Sequence, residues 1–141
     1  MKEKFSTFTV EQKKEAAQIC KIIVELSTKA RREGILALES DMDGLFADGN
    51  KGKRFMFALL RLLVDGQNLE LIEEIADNFA DSSASDDFER FVFAVIKRGV
   101  HAISLGENPH VLARVFLSYV GFDDEDWFCC ETGFGHWNTD I

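Results

Sequence analysis

Cysteine and histidine are the residues of this chain best suited to chemistry, and two of the cysteines are adjacent. Cys129, Cys130 and His136 would offer metal ligands, but adjacent cysteines lack the spacer of a zinc knuckle and no fourth ligand is evident. A cysteine nucleophile would need a base such as His101, His110 or His136, and nothing in the local sequence links them. The sequence therefore predicts no catalytic residue, no metal site and no cofactor, with Cys129 packed inside and Cys130 exposed.

The neighbours of the two adjacent cysteines suggest two further kinds of site. The acidic run at residues 123–126 lacks the spaced oxygens and the glycine of a calcium loop, so it better fits the start of a short helix. Trp127, Phe128, Phe134 and Trp137 either form an aromatic patch for a partner or hold the C-terminal tail against the rest of the protein. Of these two arrangements, we favour the second.

The charge of the chain argues against several classes of partner. The 141 residues carry a net charge of −9, and no basic stripe interrupts the acidic composition. A field of this sign repels nucleic acid and anionic lipid, and it favours a protein partner with a basic patch. The length fits a single domain over residues 1–141, and 46% hydrophobic residues supply the material for a core.

The cysteine count and the apolar segments predict a soluble cytoplasmic protein. An odd number of cysteines, with no apolar signal segment in the charged N-terminus, indicates reduced thiols. The longest strongly apolar stretches, residues 55–64 and 91–96, are far shorter than the roughly 20 residues that a membrane span needs.

A long first helix must position the N-terminal half. Thr9 and Gln12 have the spacing of a capping box, and small or apolar residues then recur every three or four positions. This pattern predicts one helix over residues 10–40. Gly34 is its weakest point, because glycine costs about 1 kcal/mol relative to alanine in a helix unless close packing needs it.

Four or five further helices follow from the same periodicity, and no segment has the alternation of a strand. The second helix, residues 53–65, is apolar on most sides and is predicted to be central. Residues 81–87 are predicted to be a flexible linker, and residues 133–141 a tail. The predicted fold is an all-α single bundle of five to six helices, with the long first helix packed against the second, fourth and fifth. The boundaries rest on Asn68 as a cap and on Asp86, with Glu89 three residues later, as the cap of a fourth helix at residues 87–105. Asn108 with Pro109 begins a fifth helix that ends at Gly121, and Asp123 is the predicted cap of a last short helix.

Two stretches resemble a known family. Residues 30–39, with the sequence ARREGILALE, closely resemble the segment after the second membrane helix of motility protein A, an ion-channel stator subunit of the bacterial flagellar motor. The likeness continues through residues 63–72, LVDGQNLELI. Residues 99–110, GVHAISLGENPH, resemble the cytoplasmic tail after the fourth membrane helix, and residues 117–120 continue that likeness. The matched stretches cover roughly half of the chain and occur in the order of the family.

The resemblance implies a stator cytoplasmic domain whose membrane helices are missing, because residues 81–87 stand where two of them would lie. No residue matches the ion-conducting machinery of the family, so ion conduction is not expected. In the family an Arg and a Glu engage the rotor switch protein, and the motif places them at Arg31 and Glu39. On one continuous helix these residues would lie about 80° apart around the axis and about 12 Å along it. The predicted partner-binding residues are therefore Arg31, Arg32 and Glu39.

The leading hypothesis is a stator-like, non-enzymatic interaction module that binds the flagellar rotor switch protein or a stator complex. Two alternatives are unrelated to motility. One is a structural helical protein that associates with itself as a homo-oligomer. The other is a regulator that binds a metal or a small molecule through the C-terminal aromatic and cysteine region.

Overall fold

The helices form because apolar residues recur at helical spacing between well-defined caps. The computed structural model describes residues 4–47 and 49–137, and this part of the chain is all-α, with no strand. Its seven α-helices are α1 (Val10–Glu33), α2 (Glu39–Ala47), α3 (Lys51–Val64), α4 (Leu69–Ser83), α5 (Asp87–Leu105), α6 (Pro109–Val120) and α7 (Glu125–Thr132). Three short 3-10 helices, Phe5–Thr7, Ile35–Leu38 and Phe122–Asp124, join or precede them.

Side-chain caps fix most of the helix starts that the sequence predicts. The Thr9 hydroxyl accepts a hydrogen bond from the Gln12 N–H, and the Gln12 side chain accepts one from the Thr9 N–H. Asn68, Asp86 and Asn108 cap α4, α5 and α6 through their side-chain oxygens. Each such cap contributes about 1 kcal/mol by satisfying a backbone donor that the helix cannot pair. The predicted Asp123 cap is wrong, because Asp123 lies within a 3-10 helix and α7 begins at Glu125.

The first helix begins at Val10 as predicted, but its predicted end at residue 40 is wrong. Gly34 has a φ of +96°, which side chains with a Cβ rarely adopt, and its N–H still bonds to the Ala30 carbonyl at 2.8 Å. The chain therefore leaves α1 at this residue, passes through a 3-10 turn and starts a separate helix, α2. This extra helix raises the count from the predicted five or six to seven among the described residues.

The central helix is α5 rather than the predicted second helix. Helices α1, α3, α4 and α6 all pack against α5, and ten of its residues are buried, among them Phe91, Val95 and Gly99. In contrast, α3 buries one face and leaves Phe57 and Leu62 partly exposed. As predicted, α1 packs against α5 and α6, and its Ile19 side chain lies beside Gly52 of α3. The 3-10 helix Ile35–Leu38 and α7 contact α1 more extensively than α3 does.

Only three residues of the predicted linker at residues 81–87 lie outside the helices. Helix α4 continues to Ser83, so residues 81–83 are helical and only residues 84–86 connect it to α5. The Lys51 ammonium lies 3.0 Å from the Ser83 carbonyl and 2.9 Å from the Glu89 carboxylate, which also accepts the Ser85 N–H at 2.7 Å. These contacts, the Ser85 N–H first and Lys51 second, lower the pKa of Glu89. The two halves of the chain are thereby joined through a tight, hydrogen-bonded turn.

Two other sequence predictions extend beyond the described residues. The predicted turn at residues 48–52 includes Asp48, which lies outside them, and its last two residues already belong to α3. The predicted tail begins after Thr132 as expected, and its residues 138–141 lie outside the described part. Among the helices that the structure describes, none has both the length and the apolar character needed to cross a membrane.

Candidate partner-binding site

The predicted partner-binding residues lie around the break between α1 and α2. Arg31 and Arg32 occupy the last turn of α1, where cations interact favourably with the negative end of the helix dipole. Glu39 begins α2, beyond the turn at Gly34. All three side chains are exposed, as an interaction surface requires, but the prediction that they share one helix face is wrong. Arg31 and Arg32 line one groove, and Glu39 lines a second depression together with Glu33 and Leu36.

Glu39 shares a depression with Lys29 and Glu33 of α1 and also contacts α3. Its carboxylate lies 3.3 Å from Nη2 of Arg61, and Nη1 of the same guanidinium lies 3.7 Å from Asp65. These side chains are 40–63% exposed, so solvent screens the pairs and each contributes little to stability. Glu39 therefore has a partner within the protein, which a binding protein would have to share or replace.

The 3-10 turn after Gly34 decides which residues of the family-like motif face solvent. Leu38 is fully buried, whereas Leu36 is 73% exposed. Ile35 lines a depression together with Leu105, which is itself 60% exposed at the end of α5. At the end of the bundle where α1 and α5 finish, Leu105 thus shares a depression with Arg31, and Leu36 lines a neighbouring one with Glu33 and Glu39. Sequence periodicity missed them because it treated residues 35–38 as continuous helix.

Arg31 and Arg32 line a groove with a volume of about 800 Å³. One wall is a polar stripe of α1, the second is the start of α6 with Asn108 and Pro109, and the third is the segment after α7. The lining residues from α1 are Lys21, Val24, Glu25, Thr28, Arg31 and Arg32. Their spacing of three and four residues is a helical signal that the sequence contained, but it identified no site without the opposite walls.

The C-terminal aromatic residues mainly hold the tail against the bundle, as favoured above. Phe128 is fully buried, and its ring centroid lies 5.9 Å from that of partly buried Phe134. Trp127 also packs against the core, while Trp137 stays 45% exposed beneath the Arg114 guanidinium, 5.7 Å from its ring centroid. The aromatic anchor keeps the segment after α7 in place, so that it forms one wall of the groove.

Two of the three histidines, His101 and His136, are paired with carboxylates. His101 Nδ1 lies 3.3 Å from Glu73, and His136 Nδ1 lies 3.3 Å from both Glu125 and Asp126. His110 is exposed at the start of α6. Within residues 4–47 and 49–137, no three His, Cys, Asp or Glu side chains converge in a way that could hold a metal ion.

Cys129 is buried and Cys130 is exposed, as the sequence predicts, and Cys20 is buried as well. Burial raises the pKa of the Cys20 thiol far above its ordinary value. The pKa of Cys129 is also raised, first by burial and then by the negative charges of Glu125 and Asp126. Because the thiolate is the reactive form, both buried thiols are poor nucleophiles near neutral pH.

We expect iodoacetamide to label Cys130 at least about tenfold faster than Cys20 or Cys129 in the folded protein at neutral pH. Peptide mass mapping after timed labelling measures the three rates, and labelling in denaturant provides the control in which the differences disappear. The raised pKa values also predict the direction in which the stability of the folded protein changes with pH. Since the folded protein keeps these protons to higher pH than the unfolded chain does, stability falls as the pH rises above the ordinary thiol pKa. Rapid labelling of Cys129 would contradict its burial.

Comparisons of the chain with protein-family models, with curated proteins and with solved structures return no match. The likeness to motility protein A therefore rests on the sequence motifs given above.

Proposed function

We propose that the protein is a non-enzymatic, stator-like interaction module that acts in the cytoplasm. Its partner is the flagellar rotor switch protein or a stator complex, and it does not conduct ions. The binding surface is the end of α1 with the turn that follows it, including Arg31, Arg32 and Glu39. The partner, the compartment and the three binding residues come from the resemblance and the sequence, and the exposure of those residues supports the proposal.

The observation that carries this proposal is the exposure of the segment with the strongest family likeness. A motif kept only for packing would bury its side chains, yet Arg31, Arg32, Leu36 and Glu39 all face solvent. Leu105 adds a second exposed leucine at the same end of the bundle. Exposed apolar side chains bordered by arginines are typical of protein-binding surfaces.

The thiol environments support a non-enzymatic role. Buried Cys20 and Cys129 are held in their unreactive protonated form. Neither has a histidine among its hydrogen-bond partners in the described part of the chain, and the nearest histidine to α7, His136, contacts carboxylates. The arrangement thus offers surfaces for recognition and no activated nucleophile.

A charge swap tests the proposal without altering the net charge. We expect the double variant Arg31→Glu/Glu39→Lys to bind purified rotor switch protein, or purified stator complex, at least about tenfold more weakly than the natural sequence. Surface plasmon resonance at low and moderate salt measures the change, and circular dichroism checks that the fold is retained. The matched control is Lys14→Glu/Glu74→Lys, a swap between two exposed residues remote from the surface. The proposal fails if neither partner binds the natural sequence, or if both double variants bind equally well.

Self-association is the alternative that one observation favours, since Leu36 and Leu105 expose 73% and 60% of their surface. Sedimentation velocity over a wide concentration range distinguishes the two functions. A monomer that binds the switch protein supports the interaction module. A stable oligomer that Leu36→Ser dissociates, together with no binding to motor proteins, supports the structural alternative.

A further inference from the structure

The groove between α1, α6 and the segment after α7 has a charge opposite to that of the whole protein. The chain carries a net charge of −9, yet the groove is lined by four permanent cations and one carboxylate. The cations are Lys21, Arg31, Arg32 and Arg114, and the carboxylate is Glu25. The overall charge favours a basic partner at long range, but it is screened beyond about 8–10 Å at physiological salt. Within the groove, the local cations determine which ligand is attracted.

The cations that line the groove differ in their contacts with the rest of the protein. Lys21 and Arg31 are exposed and form no ion pair with any residue in the described part of the chain. Arg32 lies 3.4 Å from Glu33, but with side chains 70% and 47% exposed this pair exchanges readily with a ligand. Arg114 is held in place by the His136 carbonyl and the Trp137 ring, so it shapes the wall opposite α1.

The groove also has apolar surface between its charges. Val24 and Phe134 are partly exposed and supply this surface, whereas Pro109 and Ala113 on the α6 side are buried. The positive end of the α6 dipole points toward the same space, because Asn108 and Pro109 start that helix. A small inorganic anion would use the charges and leave the apolar surface in water. A helix or loop with both acidic and apolar side chains would use both.

We propose that this groove binds an acidic, amphipathic segment of a partner protein. The inference deepens the proposed function by naming the chemistry of the segment recognised, and it rests on that function only for the idea that the partner is a protein. Carboxylates of the segment pair with Lys21 and Arg31, and its apolar side chains cover Val24 and Phe134. The net charge of −9 disfavours a nucleic acid, whose long run of phosphates would extend over the acidic surface outside the groove.

Fluorescence anisotropy with designed peptides tests the proposal. The probe is a labelled helical peptide of about 16 residues with leucine on one face and glutamate on the other. Two counterparts replace all glutamates with lysine, or all leucines with serine. We expect the acidic amphipathic peptide to bind at least about tenfold more tightly than either counterpart, with an affinity that falls as salt is raised.

Two substitutions on α1 probe the groove without disturbing the core. Lys21→Glu reverses an exposed cation, and Thr28→Trp fills the groove from an exposed position whose hydroxyl bonds only within its own helix, to the Val24 carbonyl. Each is expected to weaken binding of the acidic peptide at least about tenfold. The matched control is Lys14→Glu, which makes the same charge change on the same helix outside the groove. It is expected to weaken binding less than about threefold. Thermal unfolding checks that all variants fold.

Several results would overturn the proposal. The acidic and basic peptides could bind equally well, or Lys21→Glu and Lys14→Glu could weaken binding equally. Inorganic pyrophosphate could also bind in place of the peptide, which would identify a small-anion site. Dimerisation that Thr28→Trp abolishes would identify a second copy of the chain as the occupant and would also overturn it.

The outcome is separable from that of the motor-protein experiment. Peptide binding that depends on Lys21, together with no binding to the switch protein or stator, leaves the groove proposal intact and removes the proposed partner. Conversely, motor-protein binding that depends on Arg31 and Glu39 but not on Lys21 or Thr28 supports the proposed function and removes the groove as the recognition site.

Discussion

Replacing Phe91 with alanine is expected to lower the free energy of unfolding by about 3–5 kcal/mol. Phe91 is 1% exposed on the central helix α5, and its ring lies 5.4 Å from that of Phe5, 5.6 Å from that of Phe8 and 6.2 Å from that of Tyr119. Truncation removes buried apolar surface and aromatic contacts that join the N-terminal segment, α5 and α6, and it leaves a cavity. Urea unfolding followed by circular dichroism gives the change in midpoint and slope.

A matched control separates burial from the chemical change itself. Phe122→Ala removes the same atoms from a side chain that is 87% exposed, so a change within about 0.5 kcal/mol is expected. If Phe91→Ala does not fold, Phe91→Leu provides a milder test with an expected loss on the order of 1–2 kcal/mol. Similar stabilities for the Phe91 and Phe122 variants would contradict the position of Phe91 in the core.

Replacing Gly99 with alanine is expected to destabilise the protein by about 2 kcal/mol, even though alanine is the better helix former. A Cβ at Gly99 would overlap Cγ2 of Ile23 and lie 3.3 Å from its Cδ1, where α5 crosses α1. The Ile23 methyl group branches directly from Cβ and cannot move away without shifting the helix. Overpacking of this kind costs about 1–3 kcal/mol or more and here outweighs the roughly 1 kcal/mol gained in helix propensity.

Gly44→Ala is the control for this substitution. Gly44 lies in α2, and a Cβ there would meet nothing within 4 Å, so the variant should be neutral or up to about 1 kcal/mol more stable. The double variant Gly99→Ala/Ile23→Ala tests the mechanism, because it should lose clearly less stability than the sum of its two single variants. Strict additivity would show that Ile23 is not the residue that excludes a side chain at position 99.

The close approach at Gly99 and the break at Gly34 show two different uses of glycine that the sequence alone does not distinguish. Both residues interrupt a helical pattern at a cost of about 1 kcal/mol relative to alanine. Gly99 lies within α5, and its position requires glycine because only a residue without a side chain fits beside Ile23. Gly34 ends its helix by adopting a positive φ, and a Cβ at this position would meet nothing within 4 Å. Only the tertiary neighbours decide between these two outcomes.

The sequence by itself determined the local features of this protein. Thr9, Asn68, Asp86 and Asn108 mark helix starts because each side chain satisfies backbone donors within three residues, so no distant part of the chain is needed. The all-α class follows from the period of the apolar residues. The burial of Cys129 and the exposure of Cys130 also followed from local pattern.

The tertiary structure decided the features that depend on distant residues. The turn at residues 84–86 is bonded to Lys51, which lies more than 30 positions earlier and contacts Ser83, Ser85 and Glu89. The central place of α5 depends on four other helices packing around it. Arg31 and Glu39 lie on different helices because α1 ends at Glu33. The groove between Arg31 and the start of α6 forms because the C-terminal aromatic residues hold the segment after α7 in place. Helical periodicity identifies which face of a helix is buried but not which other helix covers it. A binding surface depends on how the helices are arranged around one another, so periodicity alone does not predict it.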